Sequence, residues 1–465
     1  MLRYGLQFAT TLVLARLLAP SDFGLIAMLS LFIGLASVLM DGGFSAALIQ
    51  RREIDEADKS TVFWFNLCTG GLLTLALFAA APIIARIFDR PALVPLTRAM
   101  AFLCLLSSTG AIHSTLLIRD LNFRTQAKAG AIAALVSAGV AIILASRGYG
   151  VWALVAQALL MAAALSALLW ALNPWRPSLT FNLASLRKLL GFGGYHLGSS
   201  LLEMAYSRLY TLFVGRSFGA SELGYYANAD NTRMIPGNFL AGVISRVALP
   251  MFSAAAQEPL TLRRGMQLSI RGMMLINAPV MLGLAVLAEP VITVLFGRQW
   301  LPAVPIFRVL CLAGVLYPLN AINLHALMAQ GHAGLMFRLE VTKKMLGIAF
   351  LVVGAWYGVM GVAWSQVAFS IVALCINAHY SAKLLDFGAF SQFREFAPST
   401  IAAALVAVGV QTVCWVWMAT PFMKLVVLGG AGALVYLAVI SLARLDALED
   451  VAALFWRARL SRQDK

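Results

Sequence analysis

Five charged residues stand inside long apolar segments of the chain, away from the segment ends: Arg3, Glu203, Arg208, Asp230 and Arg233. A guanidinium group is a rigid fork of N–H donors that matches the oxygens of a phosphate. The three arginines are therefore candidate binding residues for an anionic group. The two carboxylates are candidates for counter-charges or for the site of a coupled proton or sodium ion.

An ion pair is the alternative role for Arg233, because Asp230 precedes it by three residues and both fall on one helix face. Glu203 and Arg208 are five residues apart, a spacing that is less suited to an ion pair within one helix than three or four residues. Glu203 is therefore a candidate to pair with a residue on another helix or to bind an ion. Charged residues nearer the segment ends more often reach lipid headgroups or cap helices. They are Arg16, Asp41, Arg98, Arg246, Arg271 and Arg308.

The sequence has no pattern typical of metal, cofactor or nucleotide chemistry. The five cysteines all fall in apolar stretches and form no C-x-x-C pair, so packing is their expected role. The histidines show no metal-ligand spacing, and there is no G-x-x-x-x-G-K-[ST] sequence for nucleotide hydrolysis. We therefore predict no catalytic residues, no metal and no cofactor.

The composition indicates that these charges are carried by membrane-spanning helices. Of 465 residues, 61% are hydrophobic and 12% are charged, with a mean hydropathy of +0.84, whereas soluble proteins carry about a quarter charged residues. The net charge of +15 is spread singly over short connections, which indicates contact with anionic lipid headgroups. We expect membrane lipids, and no nucleic acid, as partners.

Apolar stretches long enough to cross a bilayer recur along the whole chain. We predict an all-α polytopic membrane protein with about 14 transmembrane helices. The predicted spans are 2–18, 24–48, 61–85, 93–117, 129–146, 150–172, 190–214, 222–250, 266–288, 302–329, 335–354, 358–380, 396–419 and 424–442. The connections between them are short, so no domain outside the membrane is expected.

The distribution of lysine and arginine predicts the orientation of the spans. With the N-terminus in the cytoplasm, about 21 of these residues fall in or beside cytoplasmic connections and about six on the opposite side. The bias runs the same way at nearly every connection. We therefore predict a multi-pass protein of the plasma (inner) membrane with both termini in the cytoplasm.

An internal repeat links the first and second halves. LVLARLLAPSDFG, residues 12–24, aligns without a gap with LFVGRSFGASELG, residues 212–224, so that Gly24 matches Gly224. Each copy holds six spans, so both copies share one orientation and form a parallel pseudo-twofold pair of lobes. The predicted divisions are the N-lobe at 1–172, a cytoplasmic linker at 173–189, the C-lobe at 190–380, a cytoplasmic connection at 381–395, two further helices at 396–442 and a cytoplasmic tail at 443–465.

Five segments carry motifs typical of one family of membrane transporters. They are LARLLAPSDFGLIAM at 14–28, DGGFSAALIQR at 41–51, STVFWFNL at 60–67, LIRDLNFR at 117–124 and LGYYANADNTRMIPGNFLAGVISRVALPMFS at 223–253. With these, the chain resembles Wzx-type polysaccharide transporters of the multidrug/oligosaccharidyl-lipid/polysaccharide exporter superfamily. The resemblance is specific over residues 1–260 and rests chiefly on the span pattern beyond them.

The resemblance implies two six-helix lobes plus two helices, and a flippase for oligosaccharide carried on undecaprenyl diphosphate. It implies that Arg3 contributes to a cavity, because the matching helix of the related lipid II flippases carries arginines. It also implies polysaccharide polymerase and glycosyltransferases as partners. Aromatic residues in the third, seventh and eighth spans could stack on sugar rings, with packing as the alternative. They are Trp64, Tyr195, Tyr206, Tyr210, Tyr225 and Tyr226.

The sequence departs from the family at two places. The chain begins inside what the resemblance implies is the first helix, and the sequence leaves open whether the natural N-terminus is longer. The seventh span carries Tyr210 where the family often has an aspartate, which puts ion coupling through that acid in question. Two alternatives stay open: a multidrug or cation-coupled exporter of the same superfamily, and a membrane polysaccharide polymerase or ligase.

Overall fold

The chain is described here from a computed structural model, which covers residues 2–51 and 54–443. Within these ranges the secondary structure is helical, with short turns and connections between the helices. The side chains of residues 2–4, 188–196, 241, 243–247, 249–250 and 333 lie outside the description. The predicted tail at 443–465 falls outside the described residues except for its first residue. The prediction of an all-α protein is confirmed.

Eighteen α-helices occur in the described ranges, together with a 3-10 turn at Arg298–Trp300 and a π-helical turn at Lys424–Leu428. The helices are α1 (Leu2–Leu17), α2 (Pro20–Asp41), α3 (Phe44–Gln50), α4 (Glu56–Phe88), α5 (Leu93–Arg119), α6 (Phe123–Ser146), α7 (Val151–Leu172), α8 (Leu183–Phe218), α9 (Ala220–Ala254), α10 (Pro259–Val286), α11 (Ala288–Leu295), α12 (Ala303–Val315), α13 (Tyr317–Ala329), α14 (Ala333–Ala355), α15 (Gly358–Leu385), α16 (Ala389–Val416), α17 (Pro421–Met423) and α18 (Gly429–Leu442).

Every predicted span falls on one of these helices or on a consecutive pair. Within the described residues, ten helical segments are long and apolar enough to cross a membrane. The other four predicted spans lie on α1, which is short, and on α8, α9 and α14, which carry several charged residues each. The chain is thus a multi-pass membrane protein, and the count of fourteen spans stays a prediction.

Local sequence explains several helix boundaries near the candidate residues. Asn182 begins α8, because its side-chain oxygen accepts a hydrogen bond from the backbone N–H of Ala184 at 2.9 Å. The end of α2 falls at Gly42, whose φ of 58° lies in the left-handed region that glycine adopts at low cost. Both positions were available from the sequence as capping signals.

The chain divides into two compact units, Met1–Gly224 and Tyr225–Lys465. In the first unit, α8 packs against α2, α3 and α4, so it belongs with the helices that precede it. The stretch before α8 is bound to the same unit, because the indole N–H of Trp64 donates a hydrogen bond of 2.9 Å to the backbone carbonyl oxygen of Ser178. The lobe boundary placed between residues 172 and 190 stays a prediction.

The core of the second unit is built around α10. This helix packs against α12, α13 and α16, and it buries Met266, Ile270 and Met274 completely. On the same helix, the guanidinium Nε of Arg271 donates to Glu395 of α16 at 2.5 Å. Apolar packing and this ion pair together fix α16 against the rest of the unit.

Candidate functional site

Arg208 lies in the second half of α8, in the first unit. Its side chain is half-buried, and its Nε atom is buried with no hydrogen-bond partner. No ion pair of Arg208 is found among the residues that the structure describes. A buried cation is costly unless an opposite charge compensates it. This guanidinium is therefore suited to an anionic ligand.

Two other candidates share the first unit with Arg208. Glu203, on the same helix, has an exposed side chain, which is compatible with a water-facing role. Arg3 has its backbone in α1, but its side chain lies outside the described residues. The role predicted for Arg3 stays a prediction.

Arg233 and Asp230 form an ion pair on α9 in the second unit. The guanidinium Nη2 of Arg233 lies 2.5 Å from Oδ1 of Asp230, and the two side chains are 16% and 27% exposed. The sequence had left an ion pair open as the alternative, since three residues separate the two positions. The pair has no net charge, but the Nε atom of Arg233 is buried without a hydrogen-bond partner, so an anion could bind this arginine beside Asp230 or in its place.

The surroundings of this pair come from neighbouring helices of the second unit. A β-carbon on Gly314 of α12 would lie 3.7 Å from Cδ of Arg233, an ordinary contact, and 2.9 Å from the sulfur of Met281, so α12 lies beside the arginine and the glycine leaves room for the methionine. The hydroxyl of Tyr226, one turn before Asp230, accepts a hydrogen bond from the amide of Gln366 on α15. These contacts fix α9 at the level of the ion pair.

Three of the six candidate aromatic residues are engaged in packing. Tyr226 is 2% exposed, and Tyr225 meets Trp300 edge to face with ring centroids 6.1 Å apart. Trp64 packs on Phe63 at 5.2 Å in addition to its hydrogen bond. Tyr206 and Tyr210 are half-buried, and the side chain of Tyr195 lies outside the described residues. Packing therefore accounts for Trp64, Tyr225 and Tyr226.

A small polar pocket at the end of α2 was missed by sequence reasoning. It has a volume of about 210 Å³ and lies between α2, the start of α3 and α8. Asp41 accepts a hydrogen bond from the hydroxyl of Ser45, which lies 2.9 Å from the hydroxyl of Thr115. From the sequence Asp41 is a residue near a segment end, because nothing in the local sequence reveals that α8 lies over it. The lining residues are Ser37, Val38, Asp41, Gly43, Leu197 and Ser200.

A buried network of neutral amides in the second unit was also missed. Asn323 of α13 and Gln392 of α16 exchange two hydrogen bonds, each 2.8 Å long. The hydroxyl of Ser381 on α15 donates to Asn323 at 2.6 Å, and Asn377 donates to Asn320 at 2.9 Å. The network ties three helices together, and its signal in the sequence was the pair of asparagines in one apolar segment.

Metal-ligand clusters are not present in the described part of the chain: no three His, Cys, Asp or Glu residues stand close enough to hold an ion. The five cysteines are free thiols. His113 lies between two indole rings, with centroids 4.8 Å from Trp170 and 5.4 Å from Trp175. This histidine is a packing residue.

Comparisons with known proteins agree with this architecture. The family model described as "Polysaccharide biosynthesis protein" matches residues 13–305. The teichuronic acid biosynthesis protein TuaB of Bacillus subtilis (strain 168) is 30% identical over 408 residues, which cover 86% of this chain and 84% of the relative. The lipopolysaccharide biosynthesis protein WzxC of Escherichia coli (strain K12) is 29% identical over 357 residues, covering 75% and 72%.

The fold is also found among solved structures. The lipid II flippase MurJ in an inward closed conformation superposes with a TM-score of 0.75 at 16% identity, over 96% of this chain and 98% of the other. At this identity the likeness establishes the fold alone. The helix order described above is thus the architecture of a known membrane transporter.

Proposed function

Because the chain belongs to the family of polysaccharide biosynthesis proteins, we propose that it is a flippase for lipid-linked oligosaccharides. Its cargo is an oligosaccharide repeat unit on undecaprenyl diphosphate, carried from the cytoplasmic to the periplasmic leaflet. The repeat units serve the synthesis of an exopolysaccharide, a capsule or an O-antigen.

The half-buried side chain of Arg208, whose Nε atom is buried without a hydrogen-bond partner and which has no ion pair among the described residues, is the observation that carries this proposal. A diphosphate headgroup brings about two negative charges and several acceptor oxygens into a site that needs them. Arg208 supplies a charge-assisted donor from a helix of the first unit, without the cost of breaking an existing ion pair.

Arg3 and Arg233 are the further cations of the proposed site. Arg3 stands on α1, at a position where the resemblance implies a cavity arginine. Arg233 is already paired with Asp230, so we assign it a conditional role in which the diphosphate competes with Asp230. Of the three arginines, Arg208 therefore contributes the largest share of headgroup binding in this proposal.

Ion coupling is assigned to carboxylates that can change their charge state or partner during transport. Glu203 is exposed on the same helix as Arg208, five residues before it, and Asp230 is held by Arg233. A proton or sodium ion bound at Glu203 would alter the field at Arg208. Asp230 would take part only when Arg233 leaves it.

The proposed mechanism is alternating access driven by electrostatics. The lobes expose the cargo site first to one side of the membrane and then to the other. Moving one charge across 100 mV is worth roughly 2.3 kcal/mol, so a diphosphate moving outward gains about 4–5 kcal/mol. The membrane potential of a cell with a negative interior then favours export without nucleotide hydrolysis.

The orientation and partners of the flippase follow from the same proposal. We propose that both termini lie in the cytoplasm, and the excess of lysine and arginine in alternate connections supports this orientation. Glycosyltransferases on the cytoplasmic side would supply the lipid-linked unit. A polysaccharide polymerase on the opposite side would consume it.

Reconstitution tests this function directly. The purified protein is placed in liposomes that contain a fluorescent lipid-linked oligosaccharide, and a membrane-impermeant quencher reports which leaflet holds the label. We expect the label to exchange between leaflets far faster than in protein-free liposomes. Transport of a cationic dye with no movement of the labelled lipid would overturn the proposal in favour of a multidrug exporter.

A further inference from the structure

A second cationic pocket lies in the second unit, at the ends of helices that the proposed cargo site does not use. It has a volume of about 250 Å³ and is formed by residues near the end of α10, the start of α11, α12, the end of α16 and the segment around α17. Its charged and amide side chains are Arg308, Lys424, Glu289 and Gln411. Two cations and one carboxylate leave a formal net charge of one positive unit.

Both cations have unused hydrogen-bonding capacity. The Nε atom of Arg308 is buried without a partner, and no ion pair of Arg308 occurs among the described residues. The ammonium group of Lys424 donates to the carbonyl oxygen of Cys414 at 2.8 Å, which leaves two of its three donors. Glu289, the carboxylate of this pocket, is exposed to solvent.

An apolar groove of about 470 Å³ continues from this pocket. At three places in the chain, one residue lines the polar pocket and the residue next to it lines the groove. Val286, Gln411 and Lys424 line the polar pocket, and their neighbours Leu287, Val410 and Leu425 line the groove. The rest of the groove is aliphatic, apart from Tyr436, whose hydroxyl is bonded to the carbonyl oxygen of Leu275 at 3.0 Å.

The π-helical turn at Lys424–Leu428 produces this junction. Such turns are rare and are frequent at functional sites. Here the turn directs Lys424 to the polar pocket, and Leu425 and Leu428 to the groove. A cationic pocket that opens into an aliphatic groove matches a ligand with an anionic head and a hydrocarbon chain.

We propose that the second unit carries a binding site for an anionic glycerophospholipid, with the phosphate between Arg308 and Lys424 and one acyl chain in the groove. The charge of the pocket selects this lipid. One net positive charge matches a single phosphodiester, whereas a diphosphate would place about two negative charges beside Glu289. The bound lipid fixes α16 and α18 against α10 and is a permanent component of the protein, not its cargo.

Native mass spectrometry of the full-length protein tests the site with phosphatidylglycerol as the probe. The delipidated protein is titrated with this lipid, and the bound adducts are counted. We expect the double variant R308Q/K424Q to lose at least about tenfold in affinity, because two charge-assisted contacts are removed. The matched control is R298Q, since Arg298 is an exposed arginine of the second unit outside the pocket. The R298Q variant should bind phosphatidylglycerol with the affinity of the wild type.

The groove is tested separately by filling it. Gly283 lines the groove, and a β-carbon at this position would meet nothing within 4 Å, so G283F places a ring in open space without a clash at its base. We expect G283F to lower phosphatidylglycerol binding, while G139F on α6, equally open and in the other unit, should leave it unchanged. Both variants are first checked for wild-type elution in size-exclusion chromatography.

Four results would overturn the assignment. The first is unchanged phosphatidylglycerol affinity in R308Q/K424Q, and the second is unchanged affinity in G283F. The third is a phosphatidylglycerol adduct that undecaprenyl diphosphate displaces at equal concentration, because the pocket would then prefer a prenyl diphosphate. Equal affinity for phosphatidylglycerol and zwitterionic phosphatidylcholine would also exclude a site selected by charge.

Discussion

Gly24 of α2 packs directly against the carbonyl group of Ala220 in α9, so closely that a β-carbon at residue 24 would overlap the oxygen. Gly224 meets the carbonyl group of Pro20 in the same way. The two contacts involve equivalent positions of the internal repeat, because residues 20 and 24 align with residues 220 and 224. In each contact the glycine of one copy meets the carbonyl group at the other position of the other copy. Both contacts lie within the first unit, and they show that the repeated glycines serve the same purpose, the close approach of a neighbouring helix backbone.

Substitution of Gly24 by valine should lower the stability of the protein. The new side chain has to displace the backbone of α9, and overpacking of this kind costs about 1–3 kcal/mol. Thermal unfolding in detergent measures the effect as a lower Tm. Gly139→Val is the control, because a β-carbon there meets nothing within 4 Å while the loss of helical glycine is the same. Equal Tm values for the two variants would contradict the close contact.

Glu395→Ala should destabilise the second unit. Glu395 accepts hydrogen bonds from Arg271 at 2.5 Å and from Gln267 at 2.9 Å, and it is 12% exposed. Its removal leaves a partly buried guanidinium without this partner, which costs about 1–3 kcal/mol. Asp386→Asn is the control, since Asp386 pairs with Arg263 at the surface with full exposure and such pairs contribute little. We expect a lower midpoint of denaturation for Glu395→Ala only.

Asn323 and Gln392 should show energetic coupling in a double-mutant cycle. Each single substitution to leucine leaves the other amide without its partner, at a cost of about 1–3 kcal/mol. The double variant removes both amides together, so its free energy of unfolding should fall by less than the sum, with a coupling of about 1 kcal/mol. Asn231→Leu, on an exposed position of α9, should be additive with Gln392→Leu. Additivity in both cycles would remove the network as a stabilising unit.

The helices and one ion pair could be predicted from the sequence because their signals are local. Apolar runs of bilayer length gave the predicted spans, each of which falls on helices in the described ranges. The spacing of Asp230 and Arg233 gave the pair, since residues three apart share a helix face. The ion pair depends only on residues within one helical turn, and each span depends only on the length of one apolar run.

The amide network and the two polar pockets could not be predicted because they depend on contacts between distant segments. Asn323 and Gln392 are 69 residues apart, and neutral amides carry no charge that stands out in an apolar span. Arg308 stands near the end of a predicted span, where a headgroup contact or a capping role is expected, and Lys424 stands at the start of the last predicted span, more than 100 residues away. Their shared pocket follows from the packing of α12 against α11 and of the segment around α17 against α11.

The rate of flipping should depend on the membrane potential if the diphosphate carries its charge across the membrane. In proteoliposomes with a potassium gradient and valinomycin, a potential that is positive on the destination side should accelerate transfer of the labelled lipid. The driving force is about 4–5 kcal/mol per 100 mV for two charges. The reversed potential should slow transfer in the same direction. A rate that ignores both potentials would show that charge movement is fully compensated by a counter-ion.

The initial rate of lipid-linked oligosaccharide flipping by Arg208 variants is the most direct test of the central claim, that this guanidinium binds the anionic head of the cargo. Arg208→Gln should slow flipping at least about tenfold, since a lost charge-assisted hydrogen bond is worth about 1.5–3 kcal/mol. Arg208→Lys should recover part of the rate. The matched control is Arg216→Gln, an exposed arginine near the end of the same helix, which should flip at the wild-type rate. Flipping by Arg208→Gln at the wild-type rate would contradict the claim.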